Sequence, residues 1–189
     1  MDNGQPFPPG TPWGIIGFSQ GAMIVSDFMQ QYILSGPLNW RLQDFRRGLC
    51  FGNPRREKNK ECGWAKNPVK PNTEGIMGKD RLFVTTGTPI ADKWAEHANH
   101  GDMFAENGED EEGQDKTAIA RIITENSWAG GQTALLARVL KLLGNPVGES
   151  LPAIMAAVSA IMFLAANPNP HYSTVADPGD IEFMRGVGS

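Results

Sequence analysis

The chain is poor in the residues that fix a protein to a metal, a nucleic acid or a bilayer. Its only cysteines are Cys50 and Cys62. They could pair only if the fold brought them together, and Cys50 lies in an apolar run where a buried free thiol is the commoner outcome. Neither cysteine decides a compartment. Histidines number three, and His97-x-x-His100 resembles a metal pair with no second ligand cluster to complete it, so no metal site is expected. Seventeen Lys and Arg against twenty-one Asp and Glu leave a net charge of −4 and no basic stripe, which argues against nucleic acid as a partner. The polar, proline-rich start, Met1 to Pro12, has no signal-peptide apolar core. From Ser150 to Ala176 no charged side chain occurs, but the apolar part, Leu151–Ala166, is shorter than the roughly 18–20 residues that span a bilayer and opens with Pro152. It reads as a buried or partly lipid-facing helix, with no transmembrane span expected.

What is present is a single-domain length with a 40% hydrophobic content, and a short apolar run that ends in Gly17-Phe18-Ser19-Gln20-Gly21. Gly-x-Ser-x-Gly alone is a weak pattern, because glycine and serine are common in turns. Here a strand-like segment, Trp13–Phe18, precedes it and a helix-compatible segment follows, which is the context of a nucleophile elbow. In such a turn side chains at 17 or 21 are expected to collide with the packed strand and helix.

Further along, Ala22, Val25, Met29 and Ile33 recur at helical spacing, predicting an amphipathic helix from Gln20 to about Leu34, ended near Gly36-Pro37. Leu38–Arg47 reads as a charged connector. Gly48–Gly52 predicts a second strand and Arg81–Thr86 a third, with Arg55 to Lys79 a long surface loop and Ile90 to Asn107 another. The acidic run Glu106 to Asp115 reads as a solvated loop, its spacing unlike an EF-hand. Thr117–Glu125, Thr133–Leu143 and Leu151–Ala166 predict helices, before Asn167-Pro168-Asn169-Pro170 delivers His171 on a loop. The last helix, with Leu135, Leu136 and Val139, suits either a wall for long acyl chains or the packing of a helical subdomain.

A serine hydroxyl needs a base in hydrogen-bond reach and a carboxylate to orient that base. In α/β hydrolases the order is Ser, acid, His, each on a loop after a strand. That order selects Ser19 as nucleophile, Asp102 as acid and His171 as general base. Asp92 is the weaker alternative acid; Asp177 and Asp180 follow the histidine and more simply serve turns around Pro178-Gly179. The backbone N–H of Gln20, next after the nucleophile, supplies one oxyanion donor.

With Gly17-Phe18-Ser19-Gln20-Gly21-Ala22 in place, the sequence resembles mycobacteriophage lysin B, a cutinase-like group of α/β-hydrolase serine esterases. Phe51-Gly52-Asn53-Pro54-Arg55, Gly87-Thr88-Pro89, His100-Gly101-Asp102-Met103 and Pro170-His171-Tyr172 fit the same family in the same order. The resemblance implies an α/β-hydrolase domain over 1–189 with a mostly parallel central sheet and a helical linker subdomain, 117–166, inserted before the histidine. It implies hydrolysis of the ester joining mycolic acids to arabinogalactan, with Ser19, His171 and Asp102 as triad, Gln20 as oxyanion donor and no cofactor. It further implies action at the host envelope, and with no signal peptide visible, synthesis in the host cytoplasm and later release are expected. The family carries its first strands and the other oxyanion donor ahead of the elbow. A chain starting at this Met1 is therefore expected to show an unpaired elbow-strand edge. A separate N-terminal polypeptide could complete such a fold. Other expectations are a general cutinase-like or lipase-like carboxylesterase, or a catalytically silent fragment.

Overall fold

The computed structural model describes residues 8–110, 113–114, 116–117, 120, 169–171 and 177–187. Among these residues three strands form a parallel sheet in the order β1 (Trp13–Phe18), β2 (Phe45–Phe51), β3 (Trp94–His97). Helix α1 (Gln20–Phe28) follows β1 at once and runs on into a π-helical turn, Met29–Leu34. The predicted elbow strand and helix are both present. Among the described residues β1 pairs only with β2 and forms one edge of the sheet.

Alternation along the strands decides what each face of the sheet meets. Trp13 and Ile15 of β1, Phe45 and Cys50 of β2 and Trp94 of β3 face α1, packing with Ala22, Met29, Ile33, Phe83 and Ile90. Phe45 and Cys50 stand an odd number of residues apart, so a regular strand would send them to opposite faces. The register jumps between Trp13↔Phe45 and Gly14↔Arg47, leaving Arg46 unmatched. That one-residue bulge restores both side chains to one face. On the other face Leu49, Phe51 and Ala95 pack with Cys62, Trp64, Phe183 and Met184. The last two belong to α2 (Pro178–Arg185), whose N-cap Asp177 and third helical residue Asp180 form a reciprocal capping box. The result is helix, sheet, helix in three layers.

Several expectations change. Leu38–Arg47 is no mere connector: Asn39–Asp44 is a 3-10 helix, and β2 begins at Phe45, earlier than the predicted Gly48. Residues 81–86 are not the third strand. Their apolar content is used, since Phe83 is buried in the core, but Phe83 N–H donates to the Arg55 carbonyl and Thr85 N–H to Glu57 Oε2. The third strand lies instead inside the predicted loop 90–107, at Trp94-Ala95-Glu96-His97, all four of them buried. Its two polar side chains are acceptable there because each is bonded. Glu96 Oε1 accepts from Trp94 Nε1 and Asn53 Nδ2 at 2.8 and 3.0 Å, and His97 Nδ1 meets the Asp180 carboxylate at 2.9 Å.

The stretch 55–79 is irregular, as expected, but not a surface loop: Arg55, Arg56, Glu57, Thr73, Glu74, Ile76 and Met77 are buried. At the head of the acidic run, Glu106 is turned inward onto the Gly101 N–H and Asn107 is buried. Both cysteines are free and buried, on opposite faces of the sheet. No helix among the described residues is long and apolar enough to cross a membrane. The predicted helices Thr133–Leu143 and Leu151–Ala166 lie outside the described residues, as do most of Thr117–Glu125 and nearly all of the proposed insertion, 117–166.

Candidate active site

Parallel strands carry their following loops to one sheet edge, and three such loops meet here. After β1, Ser19 turns the chain with φ 54° and ψ −121°, a backbone shape that a side-chain-bearing residue adopts only under constraint. Its N–H extends the sheet pairing to the Phe51 carbonyl at 2.9 Å, while its carbonyl accepts from Met23 N–H at 3.1 Å as α1 begins. Gly17 makes the turn possible, since a Cβ there would stand 2.6 Å from Ala22 Cα. The same expectation fails at Gly21, where an added Cβ meets nothing within 4 Å because that residue lies on the outer side of the helix's first turn.

After β3, Asp102 is fully buried at the head of a turn. Its backbone carbonyl accepts from Ala105 and Glu106 N–H, and its Oδ1 accepts from Phe104 N–H at 3.0 Å. His171 enters the gap between these two loops. Its Nε2 lies 2.7 Å from Ser19 Oγ, and its Nδ1 lies 3.0 and 2.9 Å from Asp102 Oδ1 and Oδ2. The ring is itself fully buried, packed between Phe18 and Phe104 with centroid separations of 5.0 and 4.8 Å. Ser19 is half-buried and Gln20 exposed, so the hydroxyl is the part of the array nearest solvent. Gln20 opens α1, and first-turn N–H groups have no acceptor inside their own helix.

All three residues picked as a triad thus converge, and Asp92 does not join them: it sits in the 3-10 turn before β3. Sequence reasoning gave Gly52 no role in the site. This residue directly follows β2, between the serine and acid loops, with φ +54°. A Cβ there would lie 2.7 Å from His171 Nδ1 and 2.9 Å from Asp102 Oδ2. The sequence signal was a strand-terminal glycine directly before Asn-Pro. Asn53 itself is buried, tying Ser26 of α1 to Glu96 of β3 through Nδ2. Burial raises the Glu96 carboxyl to about 7, and its Oε2 has no hydrogen-bond partner among the described residues.

The His97/His100 pair does not share a ligand position. His97 faces Asp180, while exposed His100 bonds the Glu106 carboxylate at 2.9 Å. Asp180 and Asp177 therefore do more than shape a turn: Asp180 also accepts from Trp64 Nε1 at 2.7 Å, and Asp177 pairs with Lys66. Among the described residues the group whose ligand atoms converge is Cys62, His97 and Asp180, within 4.8 Å of one another. The Asp180 oxygens are already engaged by Trp64, His97 and the Asp177 N–H, so hydrogen bonding accounts for much of the cluster.

Sheet and site together define an α/β protein in which Ser19 and Asp102, on the loops after two of its parallel strands, meet His171 in a Ser-His-Asp array. No protein-family model matches the chain. Curated relatives do: Endolysin B of Mycobacterium phage D29 is 30% identical over 164 residues, and Endolysin B of Mycobacterium phage L5 is 29% identical over the same length. Each alignment covers 83% of this chain and 63% of the relative, so the chain spans less than two thirds of their length. Among solved structures, lysin B from Mycobacteriophage D29 superimposes with a TM-score of 0.59 at 25% identity, covering 92% of this chain and 71% of that one. The chain is a homologue of the mycobacteriophage endolysin B proteins.

Proposed function

We propose that this chain is the catalytic part of a phage lysis esterase that hydrolyses the ester between mycolic acids and arabinogalactan in the mycobacterial envelope. The observation that carries the reading is the unbroken line Ser19 Oγ, His171 Nε2, His171 Nδ1, Asp102 carboxylate, with each gap at 2.7–3.0 Å. Homology to phage endolysin B proteins supports the envelope as the place of action.

In this mechanism Ser19 Oγ attacks the ester carbonyl carbon as its proton passes to His171 Nε2. The negative oxygen that forms is held by the Gln20 N–H, the donor that follows the nucleophile. Collapse breaks the ester C–O bond, and the imidazolium returns its proton to the departing sugar oxygen. Water then gives a proton to the same nitrogen and attacks the acyl-enzyme, releasing the fatty acid and restoring the Ser19 hydroxyl. Asp102 keeps the Nδ1–H tautomer throughout and offsets the imidazolium charge.

The test begins with a fluorophosphonate probe, which should label Ser19 in the wild type. Ser19→Ala should abolish labelling and cut hydrolysis of a p-nitrophenyl ester by about a thousandfold or more. Undiminished hydrolysis by that variant would remove Ser19 from the role of nucleophile. Release of mycolic acid from purified envelope, against cleavage of a simple triglyceride, tests the substrate class.

A further inference from the structure

Arg56 is the bulkiest of the side chains buried completely among the described residues. A guanidinium removed from water is costly unless its donors are used. Here they go to neutral oxygens on three separate stretches of chain. Nε donates to the Ala105 carbonyl at 2.6 Å, Nη1 to the carbonyls of Lys60 and Glu57 at 2.9 and 3.4 Å, and Nη2 to Thr73 Oγ1 at 2.8 Å. Burial lowers its pKa despite the opposing fields of the Glu61, Glu96, Glu106 and Asp102 carboxylates.

The first of those contacts bears on the site. Ala105 lies in the turn that starts at Asp102, and its own N–H donates to the Asp102 carbonyl at 3.1 Å. The turn is also gripped from residues 74–76. Glu74 and Asn107 exchange N–H···O bonds at 2.9 and 2.8 Å, and Ile76 N–H donates to the Phe104 carbonyl at 2.9 Å. Phe104 in turn packs on the His171 ring and donates its N–H to Asp102 Oδ1. Arg56 thus holds the acid's turn with one nitrogen and, through Thr73, braces the strip that grips that turn with another.

From these contacts we propose that Arg56 is a positioning residue of the esterase centre, fixing the turn 102–107 and through it the placement of the Asp102 carboxylate against His171. The inference rests on reading Ser19, His171 and Asp102 as the reacting array. Lysine in this place keeps the charge but cannot present the planar fork that reaches Ala105 and Thr73 at once. A loosened acid costs rate and leaves substrate binding almost untouched, because Asp102 is wholly buried.

The experiment compares Arg56→Lys and Thr73→Val with the wild-type chain in p-nitrophenyl ester kinetics, thermal unfolding and the low-field proton NMR signal of the His171 Nδ1–H···Asp102 bond. Arg56→Lys should lower kcat about tenfold or more with KM changed less than about twofold, and should broaden or shift the low-field signal. Thr73→Val, which removes one acceptor and keeps the guanidinium, should do the same more weakly, by about threefold. Unchanged kcat and signal in folded Arg56→Lys would overturn the inference. Thr73→Val decides in the same way should the arginine variant fail to fold. A wild type that neither labels at Ser19 nor turns over would sink the esterase reading instead. The NMR signal, which needs no turnover, would still judge the positioning role.

Discussion

The two sides of the site are built by different means. Ser19 is placed by its immediate neighbours: a six-residue strand, one strained residue and a helix that begins at the next position. Asp102 is placed from afar, by Arg56, Glu74 and Ile76, on segments with almost no regular structure. The nucleophile's position is thus set mainly within Trp13–Phe28, with one backbone bond to Phe51, whereas the acid's is a property of the tertiary fold. Local geometry is robust to distant change; a turn held by a buried cation and a few backbone bonds is not.

That contrast can be attacked first where the sides meet. Gly52→Ala places a methyl against both His171 and Asp102 at a positive φ, and should reduce kcat/KM by about a hundredfold or more. The elbow should survive, so crystals of the variant should keep Ser19 at its strained φ while the His171–Asp102 spacing opens. An intact 2.9 Å spacing with full activity would break the comparison. Gly17→Ala strikes the local side: its methyl would press on the Ala22 backbone, and unfolding should come about 1–3 kcal/mol earlier in denaturant titrations. Here the acid's turn should stay protected in hydrogen exchange, and loss of that protection would argue that the two sides are one unit.

The smallest effect concerns pH. Burial raises Glu96 from 4.5 to about 7, so the folded state keeps a proton that the unfolded chain releases. Stability contributed by that proton is full below about pH 4.5 and is lost as pH climbs toward 7, a fall of about 3 kcal/mol. Glu61, also raised to about 7 chiefly by burial, adds its own descent over the same range. Glu96→Gln should therefore flatten the stability profile between these limits without removing the slope. A profile identical to wild type would show that Glu96 does not titrate there.

What the sequence disclosed follows the same division. The elbow was readable because glycine, serine and apolar periodicity lie together in Trp13–Ile33, so each local preference agrees with the fold. Asp102 and His171 could be picked by their order in the chain, though the contacts that hold them could not. β3 was missed because Trp94-Ala95-Glu96-His97 is half polar and short, and the Asn53 and Asp180 side chains that make the burial of Glu96 and His97 tolerable come from 43 and 83 residues away. Residues 81–86 misled for the converse reason. They have the composition of a strand, and their backbone donors bond Arg55 and Glu57.

The strand order β1-β2-β3 has an arithmetic consequence. Adjacent parallel strands lie about 4.8 Å apart, so the loops bearing hydroxyl and carboxylate leave the sheet about 10 Å from each other. Neither can touch its counterpart, and the residue directly after the middle strand, Gly52, has no side chain. An imidazole is about the right width to fill that notch, and among the described residues it belongs to none of the three strands. In a refolding experiment, reactivity toward the fluorophosphonate should consequently lag behind the tryptophan signal of the core, by the time the ring takes to arrive.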